Sequence, residues 1–194
     1  MQDKSNSVEE RIITAAIECI EQNGVQGATN RRIAAMAGVN NAAINYYFRS
    51  KEVLLRRCME VTLDNAFDFR DFSTLPGGSA EVRCTAIFND LIIGGLNYPG
   101  LTRAHFYDLL TTGKYESLVV EKINDFVRNL ALHLQEFGLP LDEPTLQLAC
   151  VQITSAVMMA ILAPRLFQQS FGLDIADAST RDAFVGRMVR QLLA

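Results

Sequence analysis

Apolar residues recur at spacings of three and four along almost the whole of this 194-residue chain, and no stretch shows the period-two alternation of a half-buried strand. A chain of this pattern buries its apolar side chains by packing helix on helix, so the fold class is all-α. Ser7 followed by Glu10 makes a capping-box start, Ile12, Ile13, Ala16, Ile17 and Ile20 mark one face, and Asn23-Gly24 stops the run; together they predict a helix over 8–22. Thr29 can cap a short second helix ending at Gly38, Asn40 a third carrying Ile44, Tyr47 and Phe48, and Ser50 a fourth. A loop is expected over 73–79, then helices over 80–97, 102–112 and 115–136, and one entered through Asp142-Glu143-Pro144 and interrupted at Pro164. Ser179 and Asp182 are placed as caps of a last helix whose stripe is Phe184, Val185, Met188, Val189 and Leu192.

Composition narrows what such a bundle can do. Cys19, Cys58, Cys84 and Cys150 are isolated and far apart, which suits buried free thiols better than a zinc site or a redox pair. Ser117, His105 and Asp108 are present, but no nucleophile elbow, phosphate loop or metal spacing accompanies them. No catalytic residue, metal or cofactor is therefore expected, and the chain does not read as an enzyme. Residues 1–7 lack the basic-then-apolar order of a secretory signal and read as a disordered lead, so the expected location is cytoplasmic. The stretch from Thr145 to Pro164 is uncharged and long enough for a bilayer. Its Gln147, Gln152, Thr154 and Ser155, with four alanines in place of a solid Leu/Ile/Phe run, favour a helix buried on all sides in protein.

One constellation carries function. Ala34, Gly38 and Ile44 fall where two short helices meet at a tight turn: a small residue at the crossing, a glycine able to end the first helix left-handed, and an isoleucine that, with Val39, plugs the space beneath. That is a helix-turn-helix, with its motif over about 29–48, in which the second helix is held out toward a DNA major groove. The net charge of the chain is −4, yet residues 24–57 hold six cations (Arg31, Arg32, Arg49, Lys51, Arg56, Arg57) and one anion, Glu52. The motif thus carries +5 and the remainder −9. A charge cluster ordinarily marks a solvated helix face; its coincidence with the turn favours DNA. The start of the second helix offers asparagines suited to adenine edges, alanines suited to a thymine methyl and tyrosine hydroxyls suited to phosphates.

The run Ile33-Ala34, Ala37-Gly38-Val39, Tyr47-Phe48 and Ser50-Lys51-Glu52, with Leu54-Leu55 behind it, resembles the N-terminal DNA-binding domain of TetR-type transcriptional regulators. The resemblance covers about residues 8–57 and weakly extends to 67. It implies an N-terminal three-helix helix-turn-helix domain over 8–67 and a C-terminal helical effector-binding and dimerisation domain over 68–194. It also implies a homodimer that binds a palindromic operator and represses until a small molecule releases it. Carried over by position, it assigns Thr29, Tyr47 and Lys51 to phosphates, and Asn40, Asn41, Ala42, Ala43, Asn45 and Tyr46 to bases or adjacent backbone. Two departures stand out. Asn40-Asn41-Ala42 replaces the polar or basic residues common at that place in the family, and Asp3, Glu9 and Glu10 outweigh Lys4 before and within the first helix, which disfavours a minor-groove arm.

Beyond residue 73 the reading is physical. Between Leu146 and Ala163, 14 of 18 residues are apolar and surround the helix, so a partner subunit is the natural cover; helices over about 143–170 and 180–193 are the expected dimer seam. Candidates for an effector pocket are Phe67, Phe69, Phe72, Phe88, His105, Phe106, Tyr107, Met158 and Met159, most of which would serve equally as ordinary core. Their apolar character points to a hydrophobic or weakly polar effector. The alternatives are a DNA-binding regulator that senses no ligand and a helical protein-interaction adaptor.

Overall fold

The computed structural model describes residues 7–67, 78–139 and 141–192, which form helices and, among the described residues, no strand. In order these are α1 (Val8–Gly27), α2 (Asn30–Ala37), α3 (Asn41–Phe48), α4 (Lys51–Ala66), α5 (Ala80–Asn97), α6 (Pro99–Thr112), α7 (Leu118–Glu136), α8 (Glu143–Leu162), α9 (Gln168–Phe171) and α10 (Ala178–Leu192). Of the lead expected to be disordered over 1–7, residues 1–6 lie outside the described residues, as do Phe69, Phe72 and most of the 73–79 loop, while Ser7 is the N-cap of α1.

Most helix starts follow the capping chemistry of the sequence. Ser7 and Glu10 close a reciprocal capping box, Thr29 Oγ1 accepts from Arg32 N at 3.3 Å, Asn40 Oδ1 from Ala43 N at 2.9 Å and Asp142 Oδ1 from Thr145 N at 2.9 Å. Gly24 leaves helical geometry where the first helix was expected to stop, and one further turn runs on to Gly27. The final cap differs from expectation. Asp177 Oδ2 accepts from Thr180 N at 2.8 Å and holds the Ser179 hydroxyl at 2.6 Å, so α10 starts upstream of Ser179; Asp182 lies inside the helix and instead accepts from Asn89 Nδ2. Pro99 sits in the first turn of α6, where its missing N–H costs nothing, so that helix starts earlier than 102.

The chain divides into two compact units, and the division is not the one expected from sequence. Residues 98–114, assigned to the second domain, cluster with the N-terminal helices. The reason is a close helix crossing. At the start of α6 the Glu21 carboxylate of α1 accepts from Gly100 N at 3.1 Å and from Leu101 N at 2.8 Å, satisfying two N–H groups that have no intrahelical partner. Gly100 packs directly on the Glu21 backbone, where a β-carbon would collide with the carbonyl oxygen. Leu101 then completes a core built from Ile12, Ala16, Cys19, Ile20, Ile33, Ile44, Phe48, Leu54 and Cys58.

The second unit packs α5, α7, α8 and α10 around Phe88, Ile92, Phe126, Leu134, Leu146, Cys150, Val157, Val185 and Val189. All four cysteines are buried free thiols, and burial pushes Cys58, Cys84 and Cys150 up to about 12. The uncharged segment forms α8, long and apolar enough to cross a membrane by length and composition. One side of it (Leu146, Cys150, Ile153, Thr154, Val157, Ile161) is buried in this core, while Leu148, Val151, Gln152, Ser155 and Met159 form an exposed stripe on the other.

His105 belongs to α6 and so to the first unit. Its Nε2 lies 3.0 Å from Thr62 Oγ1 on α4, and the Thr62 hydroxyl in turn donates to the Cys58 carbonyl at 2.9 Å. The imidazole must therefore donate from Nε2. Desolvation lowers the His105 pKa to about 4, so the ring is neutral near pH 7. Between pH 6.5 and 4 the unfolded chain binds a proton that the folded chain refuses, so stability falls as pH drops through this window, by on the order of 3 kcal/mol at full extent. Denaturant titrations at a series of pH values should show that His105→Asn loses this part of the pH dependence; coincident slopes for the two proteins would mean that the ring is not held neutral.

Candidate nucleic-acid interface

The turn between α2 and α3 is built as its residues require. Gly38 adopts φ 65°, left-handed and costly for a side chain, while its N–H and that of Val39 return to the Ala35 and Ala34 carbonyls at 3.3 and 3.0 Å. Ala34 is buried at the crossing, and Ile44 is fully buried with Val39 packed against the same core. Truncating a buried isoleucine such as Ile44 typically costs about 2–5 kcal/mol. This packing leaves Asn41, Ala42, Asn45 and Tyr46 on the exposed side of α3, paired one turn apart as 41 with 45 and 42 with 46.

The nine positions assigned to DNA do not all stand alike. Tyr46 is 82% exposed, and Tyr47, at 41%, meets it edge-on with ring centroids 5.1 Å apart. Ala43 is half-buried against the core and turns away from the open face. Asn40 is exposed, but its side-chain oxygen is committed to capping α3. The Thr29 hydroxyl oxygen accepts from Arg32 N, which leaves its hydrogen to donate outward to a phosphate oxygen. Lys51 opens α4, where its Nζ reaches the Val25 carbonyl at 3.5 Å. A cation at a helix N-terminus opposes the macrodipole by about 0.3–1 kcal/mol, so its placement there gains nothing for the helix. The adjacent Glu52 suits the dipole, and its carboxyl is held below the usual range by backbone and Ser50 hydrogen bonds.

The basic cluster also separates by use. Arg32 is spent inside the fold, bonding the Asn23 side chain at 3.2 Å and the Gly27 carbonyl at 3.1 Å, and Arg57 pairs with Glu60 at 3.3 Å. Arg49, which the carried-over positions omit, caps α3 with φ 62° and is the one non-glycine residue of positive φ among the described residues. With ψ at −39° this is a sparsely populated conformation that costs about 1–3 kcal/mol for a side chain. Arg49 is exposed between Tyr47 and Lys51, and its sequence gave no sign of the strain because arginine is uncommon in that conformation.

The effector candidates divide between the two units, and three of them, Phe67, Phe88 and Met158, share the core of the second. Phe88 is fully buried in the second unit, edge-on to Phe126 at 5.9 Å, with Phe67 against the same ring at 5.6 Å. Met158 packs on that core, and Met159 is half-exposed on the outer stripe of α8. His105, Phe106 and Tyr107 ride on α6 in the first unit, Phe106 buried and Tyr107 exposed. A shallow cleft of about 510 Å³ in the second unit is lined by Tyr115, Glu116, Ser117, Leu118, Val120, Glu121 and Asn124, none of them a candidate. No group of three potential metal-ligating side chains comes together among the described residues.

The comparisons with known proteins fall on the same segment. The family described as bacterial regulatory proteins, tetR family, matches residues 12–58. The HTH-type transcriptional regulator BetI of Escherichia coli is 39% identical over 82 residues, which span 40% of this chain and 40% of that protein. The chain thus matches well under half the length of the curated relatives. Over the whole length the likeness is one of fold. A TetR transcriptional regulator from Legionella pneumophila superposes with a TM-score of 0.69 at 20% identity over 100% of both chains. The fatty acid degradation regulator FadR from Bacillus halodurans does so with a TM-score of 0.68 at 19% identity over 99% and 97%. Over residues 12–58 the helix-turn-helix unit thus resembles the DNA-binding segment of tetR-family regulators, and over its whole length the chain shares the all-helical fold of the solved structures.

Proposed function

We propose that this protein is a sequence-specific DNA-binding transcriptional regulator that acts as a homodimer on an inverted-repeat operator. The observation that carries the reading is the pose of α3: Ile44 and Phe48 anchor it inward, Asn41, Ala42, Asn45 and Tyr46 face out, and Thr29, Tyr47, Arg49 and Lys51 flank that face with phosphate donors. Its relatives are transcriptional regulators, which supports a role without catalysis. Repression relieved by a small hydrophobic or weakly polar effector, and action in the cytoplasm, complete the reading on the strength of the family fold.

Dimerisation is supported by α8. Leu148, at 61% exposed, with Val151 and Met159 forms an apolar stripe with Ser155 at its middle, a small residue that lets a second helix approach closely. Two recognition helices about one DNA turn apart require such a fixed pairing. Leu148→Arg should convert the dimer to monomer in sedimentation equilibrium and reduce operator affinity; an unchanged mass would remove this stripe from the interface.

The DNA reading predicts that purified protein binds the region upstream of its own gene more tightly than random duplex at moderate salt, as measured by mobility shift. Equal retention would overturn it. Lys51→Ala should weaken binding alike across sequences and lower the slope of log affinity against log salt by about one per subunit contact. Arg49→Gly should move two quantities in opposite directions: folding stability up by about 1 kcal/mol as the strained backbone relaxes, and DNA affinity down. An affinity that follows stability upward would confine Arg49 to a structural role.

A further inference from the structure

We infer that α3 reads A·T base pairs, so that each operator half-site contains two of them about two steps apart at its centre. The inference rests on the DNA-binding reading above and assigns the base class that the same face would take.

The residues that could read guanine are missing from the helix. The commonest guanine contact is an arginine or lysine forked onto its O6 and N7, and Asn41–Phe48 contains neither. Arg32 is held by Asn23 and Gly27, and Lys51 reaches toward the Val25 carbonyl in the last turn of α1. What the open face offers is two amides and a methyl. An asparagine amide can donate to adenine N7 while accepting from N6, and this needs both of its ends free. Asn40 fails that requirement because its oxygen caps the helix. Asn41 and Asn45 are both exposed, and neither side chain is used in capping. They stand four residues apart, or about 6 Å along the axis at ~1.5 Å per residue. Base pairs rise ~3.4 Å, so the two amides address pairs about two steps apart. Ala42 lies beside them on the same face and offers the apolar contact that a thymine methyl takes; Ala43 turns to the core and leaves that role to Ala42 alone.

The test is a selection by the full-length protein from duplexes carrying randomised inverted-repeat half-sites, at moderate salt. The expected result is an enriched inverted repeat with A·T at two central positions of each half, where replacing either pair by G·C weakens binding about tenfold. In Asn41→Arg and Asn45→Arg, each checked for an unchanged helical circular dichroism spectrum, the preference at one of those positions should move to G·C. Enrichment of G·C at those positions by the unsubstituted protein, or an unchanged preference in both variants, overturns this inference and leaves the DNA-binding reading standing. Enrichment of no inverted repeat at all overturns the DNA-binding reading and this inference with it.

Discussion

An eight-residue helix has no stability of its own in water: its nucleation cost is not recovered over two turns. α3 is such a helix, and it exists because Ile44 and Phe48, one turn apart, are drawn into the core of the first unit. Everything proposed for DNA depends on that burial, because the same two side chains fix which residues face away. The anchoring pair sets the outward face by geometry. Asn41, Ala42, Asn45 and Tyr46 are free to be whatever an operator requires, since none of them holds the helix in place.

Around this anchor, two residues accept a local cost. Arg49 carries a bulky side chain on a backbone of positive φ, and Lys51 puts a cation at the positive end of α4. Lys51 recovers part of this cost by donating from Nζ to the Val25 carbonyl, and both stand within four residues of the exposed Tyr47 in the chain. By contrast, Arg32 and Asn40, which look like surface polar residues in sequence, are consumed in holding the turn together. The distinction between a side chain that recognises and one that supports is therefore decided by hydrogen-bond partners rather than by residue type.

The sequence made the helices and the turn legible because their signals are local. Ser7 with Glu10, Thr29, Gly38, Asn40 and Pro164 each act within a turn or two of where they stand. What it could not show were relations across long separations. Glu21 caps a helix almost eighty residues away, and no periodicity marks a carboxylate on α1 as the partner of Gly100. His105 is a pocket candidate in sequence, although a solvated or structural ring is the plainer expectation there; the partner that makes it structural is Thr62, on another helix. Asp177 displaced Ser179 as the cap of α10 for a smaller reason, the reach of a carboxylate to two donors at once.

The crossing of α6 on α1 bears on how this molecule can be taken apart. The unit that holds the helix-turn-helix is discontinuous in sequence: the chain leaves it after Asn65, returns at Tyr98 and leaves again after Lys114. A fragment ending near residue 67 would keep every motif by which the domain is recognised and yet lack Leu101 from its core and the two N–H donors that occupy Glu21. The recognisable segment and the foldable segment are thus different pieces of the chain. A chimaera that exchanges reading heads must carry α6 with them, or supply another helix whose start offers the same bare backbone to α1.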